Sequence, residues 1–418
     1  MIKKRTLGTV TAAAASVLAL AACSSPGADG GDGKTELSVL VNVTPNLTEE
    51  WWNELVAPFE EANPDVDVKI QNPGAEGVAA AVPRLLAAGD APDIVQSLPP
   101  SLELAPELVD LSEYEWATDG PLADQYSIDG TTYMAGIGVQ LQSLWFYNVQ
   151  AFADAGITEP PTTVEELDAD LADLKAAGWT PIQTGGDWMS SHALQTLGLP
   201  SIIGEHPDWF TEMGDGELTF SKTYGDTVER YSDWIAKEYL NGDALGVKYP
   251  DAEQNFLAGN TALYPMGSWF AGTEAKTDDA PEIGVFRGPA VEGVDNPAMG
   301  ANIASPYVIM KSSEHQDAAA KLLEYLVTDE DAVVNQLQVD GNFRDGYEYE
   351  VNELGKQLFD IVAATPASDY TPTGQGYGER VLPVGYSDEL NVQTQALLTG
   401  VDPAEVLTAM DAWFDSAR

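Results

Sequence analysis

Apolar residues recur with two different periods along the first hundred residues of the chain. Residues 37–43 form an apolar, β-branched run typical of a buried strand, and apolar residues alternate with polar ones over 66–70, which predicts a second strand. Segments 48–63 and 78–88 carry apolar residues at helical spacing, and residues 91–95 lead into a third strand. This β-α-β-α-β order predicts a parallel sheet with right-handed crossovers.

Polar residues stand where two of these strands end. Asn42 and Thr44 follow the first strand, and Gln96 and Ser97 follow the third. Ligands of such parallel sheets bind beyond the carboxyl ends of the strands. The sequence therefore makes these four residues candidates for contact with a small ligand.

The segment 133–152 combines small and aromatic residues in a different way. Its first part is broken by Gly136 and Gly138, and its second part contains the dense apolar and aromatic run 144–147. That composition suits a chain that leaves one packed unit and becomes a central strand of another. It predicts a hinge between two lobes, with a ligand cleft beside it. A buried strand after a Gly-rich turn is the simpler alternative.

The rest of the chain mixes helices and strands. Residues 163–166 form a capping box that opens a helix, and a strand predicted over 179–183 leads to a loop with Asp187 and Trp188. Residues 256–269 predict the end of a helix, a turn, a strand and a Gly-Ser-Trp loop. Further predicted elements are a strand over 304–310, an amphipathic helix over 315–327 and a last helix that begins at Asp402 and Pro403.

Length, charge and cysteine content narrow the class of protein. At 418 residues the chain is too long for one ordinary hydrophobic core, so two domains are expected. The formal net charge of -48 opposes binding to nucleic acid, which requires basic patches. Cys23 is the single cysteine, and the histidines lack the spacing of a metal site. We therefore predict no disulfide, no metal and no cofactor.

The N-terminus has the pattern of an export signal. Residues 1–22 show a basic start, an apolar run and small residues before Cys23, as in a signal peptide. Residues 20–23 match the bacterial lipobox, and in such precursors the chain is cut before the cysteine and its thiol is diacylated. The polar, Gly-rich composition after Cys23 predicts a flexible tether over 23–35. We expect a protein that is anchored by this lipid to the outer face of the cytoplasmic membrane.

Five loose motifs occur in one order along the chain. They are residues 59–64 (FEEANP), 85–94 (LLAAGDAPDI), 144–156 (LWFYNVQAFADAG) followed by 160–163 (PPTT), 256–269 (FLAGNTALYPMGSW) and 315–327 (HQDAAAKLLEYLV). Together they resemble the family 1 extracellular solute-binding proteins of ABC importers, the group that includes maltose-binding and other oligosaccharide-binding proteins. The resemblance implies a non-enzymatic, type II fold of two α/β lobes that are joined by strand crossovers at a hinge. A sugar would bind between the lobes, and a membrane permease would receive it.

The resemblance also implies boundaries for the two lobes. The N-terminal lobe would comprise residues 36–139 and about 300–345, and the C-terminal lobe would comprise residues 140–299 and about 346–418. Residues 95–100 depart from the maltose-binding pattern, because they contain no Trp and no charged pair. That difference argues against a long maltodextrin as the ligand.

Several residues match positions of the family's binding site. Trp269 matches a ring on which a sugar stacks in several members, and Trp188 matches an aromatic residue of the second lobe. Gln140 matches a polar hinge residue, where the floor of the cleft is expected. Asn42 and Thr44 match the polar tip after the first strand.

The chemistry of a sugar explains why these residue types are candidates. A sugar has apolar C–H faces, which aromatic rings cover, and hydroxyl groups, which amides and carboxylates bind through hydrogen bonds. Trp188 and Trp269 are the candidate rings. The candidate polar partners are Gln96, Gln140, Asp187 and Asn302.

Four candidates have alternative explanations. For Trp188 the alternative is packing against the helix that follows it. Asn302 lies just before a predicted strand and is otherwise a turn residue. Arg344 is a candidate for a bidentate contact with the ligand, as is Arg380, and a salt bridge is the alternative for both in so acidic a chain.

Two other functions fit part of the pattern. A glycoside hydrolase also needs aromatic residues and a pair of carboxylates, although the chain has no nucleophile elbow, HExxH motif or P-loop. A cleft with Trp, Tyr and Asp also suits a cationic solute, either a quaternary ammonium or a polyamine, by cation–π attraction. We expect a monomer that binds a mono- or short oligosaccharide.

Overall fold

The computed structural model describes residues 34–74 and 77–418. The predicted signal peptide over 1–22, the predicted lipid site Cys23 and the tether as far as residue 33 lie outside the described residues. Thr35, which the sequence assigned to the end of the tether, is instead the first residue of a strand and pairs with Val66. Residues 35–418 form one compact unit.

Strands are distributed along the whole of this unit. In chain order they are β1 (Thr35–Leu40), β2 (Val66–Gln71), β3 (Ile94–Gln96), β4 (Met134–Ala135), β5 (Gly138–Leu141), β6 (Leu144–Asn148), β7 (Thr180–Ile182), β8 (Thr261–Met266), β9 (Ile283–Arg287), β10 (Met299–Ala304), β11 (Tyr307–Ile309), β12 (Tyr370–Thr371), β13 (Gly376–Tyr377) and β14 (Arg380–Val381).

Helices separate most of the strands. They are α1 (Glu49–Ala62), α2 (Val78–Ala88), α3 (Glu115–Thr118), α4 (Ala123–Tyr126), α5 (Val149–Ala155), α6 (Val164–Ala176), α7 (Met189–Glu205), α8 (Trp209–Asp215), α9 (Phe220–Ala236), α10 (Tyr249–Leu257), α11 (Phe270–Glu274), α12 (Gln316–Thr328), α13 (Glu330–Val339), α14 (Glu353–Ala364), α15 (Tyr386–Leu398) and α16 (Pro403–Ala417). Short 3-10 turns occur at Ala105–Glu107, Ala244–Gly246 and Ala367–Asp369. Among the described residues, no helix is long and apolar enough to span a membrane.

The predicted β-α-β-α-β unit forms one side of a five-stranded sheet with the order β2-β1-β3-β11-β4. β1 lies between β2 and β3 and is parallel to both, as the sequence predicts. β11 adds to this sheet in the antiparallel direction, between β3 and β4. The apolar faces of α1, α12 and α13 pack against the sheet and bury residues such as Leu37, Trp52 and Leu323.

A second sheet of four strands has the order β7-β8-β6-β9. Its strand β6 is buried between β8 and β9, and Trp145 and Phe146 on it have no solvent exposure. Helices α6, α7, α9 and α16 contribute the apolar residues that cover the faces of this sheet. The capping box that the sequence predicts at the start of α6 is present, because Thr163 accepts a hydrogen bond from the N–H of Glu166 and the Glu166 carboxylate accepts one from the N–H of Thr163.

The segment 133–152 connects these sheets. Its three strands β4, β5 and β6 follow one another along the chain, yet each belongs to a different sheet. β5 pairs with β10 in a small third sheet, in which Gln140 stands opposite Asn302. The segment therefore leaves one packed sheet and becomes the central strand of another, as the sequence predicts.

The strand predicted over 304–310 is wrong in one respect. The chain forms β10 and β11 there, with a break at Ser305 and Pro306, and the two strands belong to different sheets. Ser305 has a φ of 43°, which no regular strand permits, and Pro306 has no N–H for a ladder. Asn302 consequently lies inside β10 and is neither a turn residue nor a residue before the strand.

Sheets flanked by helices confirm the predicted α/β class. The lobe boundaries at residues 139 and 140, and near residues 300 and 345, stay a prediction.

Candidate functional site

A pocket of about 210 Å³ lies against one face of α7. One side of the pocket is formed by Trp188, which precedes the helix, and by four residues from its first two turns: Ser191, His192, Gln195 and Thr196. The opposite side comes from the β5–β6 connection, the loop after β8 and the C-terminal part of the chain: Gln142, Ser143, Trp269, Thr373, Gly374 and Ser387.

The two predicted ring residues, Trp188 and Trp269, lie next to each other in this pocket. The ring centroids of Trp188 and Trp269 lie 6.3 Å apart, and the planes are inclined by 51°. The imidazole of His192 lies 5.5 Å from the Trp188 ring and 6.1 Å from the Trp269 ring. Trp188 is 40% exposed although it precedes a helix that is otherwise almost wholly buried. The pocket therefore offers an aromatic surface that the protein leaves partly uncovered.

The Gly-Ser-Trp loop holds Trp269 in place through its first two residues. The Trp269 ring folds back over Gly267, where a Cβ would lie 1.8 Å from ring atom Cζ3, so only glycine fits there. Ser268 bonds twice to the backbone of β5: its Oγ accepts from the Leu141 N–H at 3.1 Å, and its own N–H donates to the Leu141 carbonyl at 2.9 Å. The loop thus ties the ring to the segment that connects the sheets.

The loop before α7 is held by Asp187. Its carboxylate accepts hydrogen bonds from the N–H of Met189 at 3.2 Å and from the N–H of Tyr249 at 2.8 Å. The Tyr249 ring in turn packs 5.2 Å from the ring of Trp188. Asp187 therefore fixes Trp188 through the backbone and is not among the residues that line the pocket.

Two polar atoms on α7 are buried without a partner. They are Nε2 of His192 and Oγ1 of Thr196, and both residues line the pocket. Burial lowers the pKa of His192 to about 4, so its imidazole is neutral at physiological pH. The side of the pocket beside the rings is therefore polar but uncharged.

A buried carboxylate organises the hinge beside the pocket. Asp340 accepts hydrogen bonds from the side-chain amides of Gln140 at 3.0 Å, Asn342 at 2.8 Å and Asn46 at 2.6 Å. Burial raises the pKa of Asp340 to about 6, and these three donors partly oppose that shift. The amide of Gln142, which lines the pocket, donates to Oε1 of Gln140 at 3.3 Å. The amide nitrogen and the amide oxygen of Gln140 thus both form hydrogen bonds within the protein.

Asn302 positions the far side of the pocket. Its Nδ2 donates to Oγ1 of Thr373 at 2.8 Å, and its Oδ1 accepts from the Thr373 N–H at 3.3 Å. Gly300 makes this approach possible, because a Cβ there would lie 2.6 Å from Cγ2 of Thr373 and 2.7 Å from Oγ of Ser143. Asn302 therefore shapes the pocket through Thr373.

The candidates at the end of β1 and β3 lie elsewhere. Oε1 of Gln96 accepts from the Asn42 N–H at 3.2 Å, and Oδ1 of Asn42 accepts from the Val78 N–H at 3.2 Å at the start of α2. Oγ1 of Thr44 donates to Asn46 at 2.7 Å. Ser97, with a φ of 61°, donates its N–H to Pro306. These four residues form hydrogen bonds with one another or with neighbouring loops and the start of α2, and they do not line the pocket.

Neither arginine candidate lines the pocket. Arg344 donates to the carbonyl of Val327 at 2.8 Å and stacks on the ring of Tyr347. Arg380 donates to Oγ1 of Thr371 at 3.2 Å and lies over the ring of Phe210. Hydrogen bonds to neighbouring polar groups, rather than salt bridges, hold both side chains.

A second buried carboxylate, Glu253, lies on α10. Glu253 has no solvent exposure, and neither of its oxygens has a hydrogen-bond partner. Burial raises the pKa of Glu253 to about 7. Among the described residues, no group of three or more His, Cys, Asp or Glu side chains converges in a way that would hold a metal ion.

Sequence reasoning missed the polar residues of α7. His192, Gln195 and Thr196 lie at the spacing of one helix face, inside a segment with an otherwise apolar composition. Polar residues at that spacing on a buried helix are a usable signal, because buried polar groups need partners. The signal was hidden because apolar residues occupy both faces of the helix.

Comparison with known proteins bears on the family and the fold of the chain. The family model for the bacterial extracellular solute-binding protein matches residues 44–333. The osmoprotective compounds-binding protein GgtB of Synechocystis sp. is 28% identical over 208 residues, which are 45% of this chain and 48% of that protein. The match thus spans about half the length of this curated relative.

Solved structures match over a greater length. A chitin oligosaccharide binding protein has a TM-score of 0.79 at 21% identity, over 92% of this chain and 99% of that one. RafE in complex with raffinose has a TM-score of 0.77 at 19% identity, over 92% and 100%. A sugar transporter protein from Bacillus licheniformis in complex with stachyose has a TM-score of 0.74 at 18% identity, also over 92% and 100%. These likenesses confirm the predicted two-lobed, type II fold.

Proposed function

Because the chain belongs to the family of bacterial extracellular solute-binding proteins, we propose that it binds a mono- or short oligosaccharide in the pocket beside α7 and delivers it to the permease of an ABC importer. The family consists of transport proteins and not of enzymes, which confirms the expected absence of catalysis and removes the glycoside hydrolase from consideration.

One observation carries the proposal: the partly uncovered indole pair of Trp188 and Trp269 is bordered by neutral polar groups. The rings offer an apolar surface for the C–H face of a sugar. His192, Gln142 and Thr196 offer hydrogen-bonding groups at the edge of that surface. This combination is complementary to a sugar ring, which is apolar on its faces and polar around its edge.

The size of the pocket supports a small carbohydrate. Its volume of about 210 Å³ is below the roughly 300–1,000 Å³ of pockets for drug-sized ligands. We therefore propose that one or two sugar rings occupy it, with Trp269 as the stacking ring. The structures of chitin oligosaccharide-, raffinose- and stachyose-binding neighbours support a carbohydrate as the class of ligand.

A cationic solute is the second candidate, and the acidity of the chain favours it. The net charge of -48 would attract a cation, and the relative from Synechocystis sp. is named for osmoprotective compounds rather than for a sugar. Against this, no Asp or Glu is among the described residues that line the pocket, and Asp187 is committed to backbone N–H groups. A neutral ligand fits this composition better.

Membrane anchoring completes the proposal. Export by the signal peptide and diacylation of Cys23 would hold the protein at the outer face of the membrane, where it works as a monomer beside its permease. Cys23→Ala tests this part by itself. Loss of labelled palmitate and release of the protein from the membrane fraction would support the anchor, whereas an unchanged membrane fraction would contradict it.

The binding proposal is tested by thermal unfolding in the presence of single solutes. The panel comprises glucose, maltose, sucrose, raffinose and stachyose, with choline and spermidine as cationic probes. A ligand at 100 times its Kd adds about 2.7 kcal/mol to the free energy of unfolding. We expect at least one carbohydrate to raise the melting temperature, and stabilisation by a cation alone would contradict the proposal.

A further inference from the structure

Two polar atoms on the pocket face of α7 have no hydrogen-bond partner among the residues that the structure describes. Nε2 of His192 and Oγ1 of Thr196 are both buried, and they lie one helical turn apart. Other buried polar atoms in the described part of the chain also lack a partner, but only these two belong to residues that line the pocket. Buried polar groups are almost always hydrogen-bonded, so a pair without partners at a pocket indicates groups that a ligand completes.

The polar residues between and beside them already form hydrogen bonds within the protein. Oε1 of Gln195 accepts from the Gly374 N–H at 3.0 Å, and its Nε2 is 3.5 Å from the Ser191 carbonyl. Oγ of Ser191 donates to the Trp188 carbonyl at 3.0 Å. Gln195 and Ser191 therefore hold the pocket together, whereas His192 and Thr196 keep their hydrogen-bonding capacity for a solute.

The chemistry of the pair selects the kind of group that binds. A neutral imidazole nitrogen donates or accepts according to its tautomer, and a threonine hydroxyl does both. A ligand hydroxyl, which also donates and accepts, satisfies either residue without charge. A cation cannot accept a hydrogen bond and a carboxylate cannot donate one, so either ligand would satisfy only part of the hydrogen-bonding capacity of His192 and Thr196.

The positions of the pair select the arrangement of those hydroxyls. Residues i and i+4 of a helix lie about 6 Å apart along its axis, since each residue rises 1.5 Å. His192 also lies beside both indole rings, so a hydroxyl bound there belongs to a sugar ring that contacts the indoles. Thr196 then faces a second hydroxyl, farther along the same edge of the ligand.

We infer that His192 and Thr196 determine the specificity of this pocket by binding two separate hydroxyl groups on one edge of a carbohydrate. The inference rests on the proposed function, because it assigns the residues that distinguish one sugar from another. The indole pair accepts any apolar sugar face. The discrimination between sugars therefore comes from the two residues on α7.

The test uses Thr196→Val, which keeps the shape of the side chain and removes its hydroxyl, and His192→Phe, which keeps a ring and removes both nitrogens. The control is Thr261→Val, because Oγ1 of Thr261 is likewise buried without a partner but lies in β8, away from the pocket. Isothermal titration with the tightest-binding sugar of the panel measures Kd for each protein. We expect Kd to rise about tenfold in each pocket variant and to change less than about twofold in the control, since about 1.4 kcal/mol corresponds to tenfold.

A second measurement begins with the wild-type protein, so its first part does not depend on the folding of a variant. The wild-type protein is titrated with monodeoxy derivatives of the same sugar. We expect about tenfold weaker binding for two of them, and we expect Thr196→Val to lose the discrimination at one hydroxyl only. If the wild type binds sugar and Kd is unchanged in both variants, or if it binds every deoxy sugar equally, the inference is overturned and the proposed function stands. A wild type that binds no carbohydrate overturns both.

Discussion

The ring of Trp269 covers the α-carbon of Gly267 so closely that a Cβ there would lie 1.8 Å from ring atom Cζ3. Glycine is therefore required two residues before the ring, and Ser268 between them anchors the loop to β5. Glycine and serine thus precede Trp269 in this motif because together they hold its ring in the pocket.

Gly267→Ala is expected to weaken sugar binding about as much as Trp269→Ala does. The added methyl group forces the ring from its position, and the loss of an aromatic contact corresponds to about 0.5–1.5 kcal/mol, or a rise in Kd of roughly twofold to tenfold. Isothermal titration measures Kd, and the fluorescence of the indoles reports the displacement of the ring.

Gly242→Ala is the matched control, because a Cβ at that exposed glycine meets nothing within 4 Å. Its Kd is expected to remain that of the wild type. Unchanged binding in Gly267→Ala, together with a strong effect of Trp269→Ala, would show that the ring does not need this glycine.

Gln140→Ala is expected to lower stability more than affinity. The substitution removes one of the three amide donors of the buried carboxylate Asp340, and a hydrogen bond to a charged group contributes about 1.5–3 kcal/mol. Chemical denaturation at pH 8 should show a loss of about 2 kcal/mol, and the loss should be smaller at pH 5, where Asp340, with a pKa of about 6, is largely protonated.

The affinity of Gln140→Ala separates a structural role from contact with the ligand. We expect Kd to change by less than about threefold, since Gln140 acts on the pocket only through Gln142. Gln150→Ala is the control, because its amide donates to the exposed Asp154. A tenfold rise in Kd with unchanged stability would mean that Gln140 touches the sugar directly.

Glu253→Gln is expected to stabilise the protein above neutral pH. The pKa of Glu253 in the folded protein is about 7, above the ordinary value of 4.5, so the folded state holds the proton more tightly than the unfolded state. Stability from this group is therefore complete below about pH 4.5 and is lost as the pH rises through 7. At one pKa unit per 1.36 kcal/mol, the full loss is about 3 kcal/mol.

Urea denaturation at pH 5 and pH 8 measures this effect. Glu253→Gln should gain about 2.5 kcal/mol over the wild type between the two pH values, because the amide does not ionise and the wild type has already lost part of its stability at pH 5. Glu353→Gln, at a side chain that is 78% exposed, serves as the control and should follow the wild type. If the difference in the free energy of unfolding between Glu253→Gln and the wild type is the same at both pH values, Glu253 does not bind its proton more tightly in the folded protein.

Local signals in the sequence were sufficient for the elements that hold the site. The parallel order of β1, β2 and β3, the capping box at Thr163 and the Gly-Ser-Trp loop follow from periodicity and turn chemistry within about 15 residues. The crossing at 133–152 was also predictable, because its composition changes abruptly from small residues to aromatic ones.

The break at Ser305 and the partners of the polar residues were not predictable in this way. The run 304–310 is apolar except for Ser305, so only Ser305 and Pro306 indicated that it divides into strands of two different sheets. Asn42 and Gln96 stand at a sheet edge as expected, but they bond with each other, and a sequence does not show which polar groups satisfy one another. The same limit hid His192 and Thr196, whose role depends on the absence of a partner.

The salt dependence of binding is expected to distinguish the two candidate ligands. A neutral sugar held by Trp269, His192 and Thr196 should bind with the same Kd at low and high ionic strength. A cation attracted by the net charge of -48 should bind more weakly as salt screens that charge.

Isothermal titration of the protein with the carbohydrate panel, at low and at high salt, decides whether the pocket binds a sugar. We expect at least one mono- or short oligosaccharide to bind with one-to-one stoichiometry, with a Kd that does not change with salt and that rises in Trp269→Ala. Binding of choline or spermidine with a Kd that rises with salt, together with no binding of any carbohydrate, would show that the ligand is a cation and not a sugar.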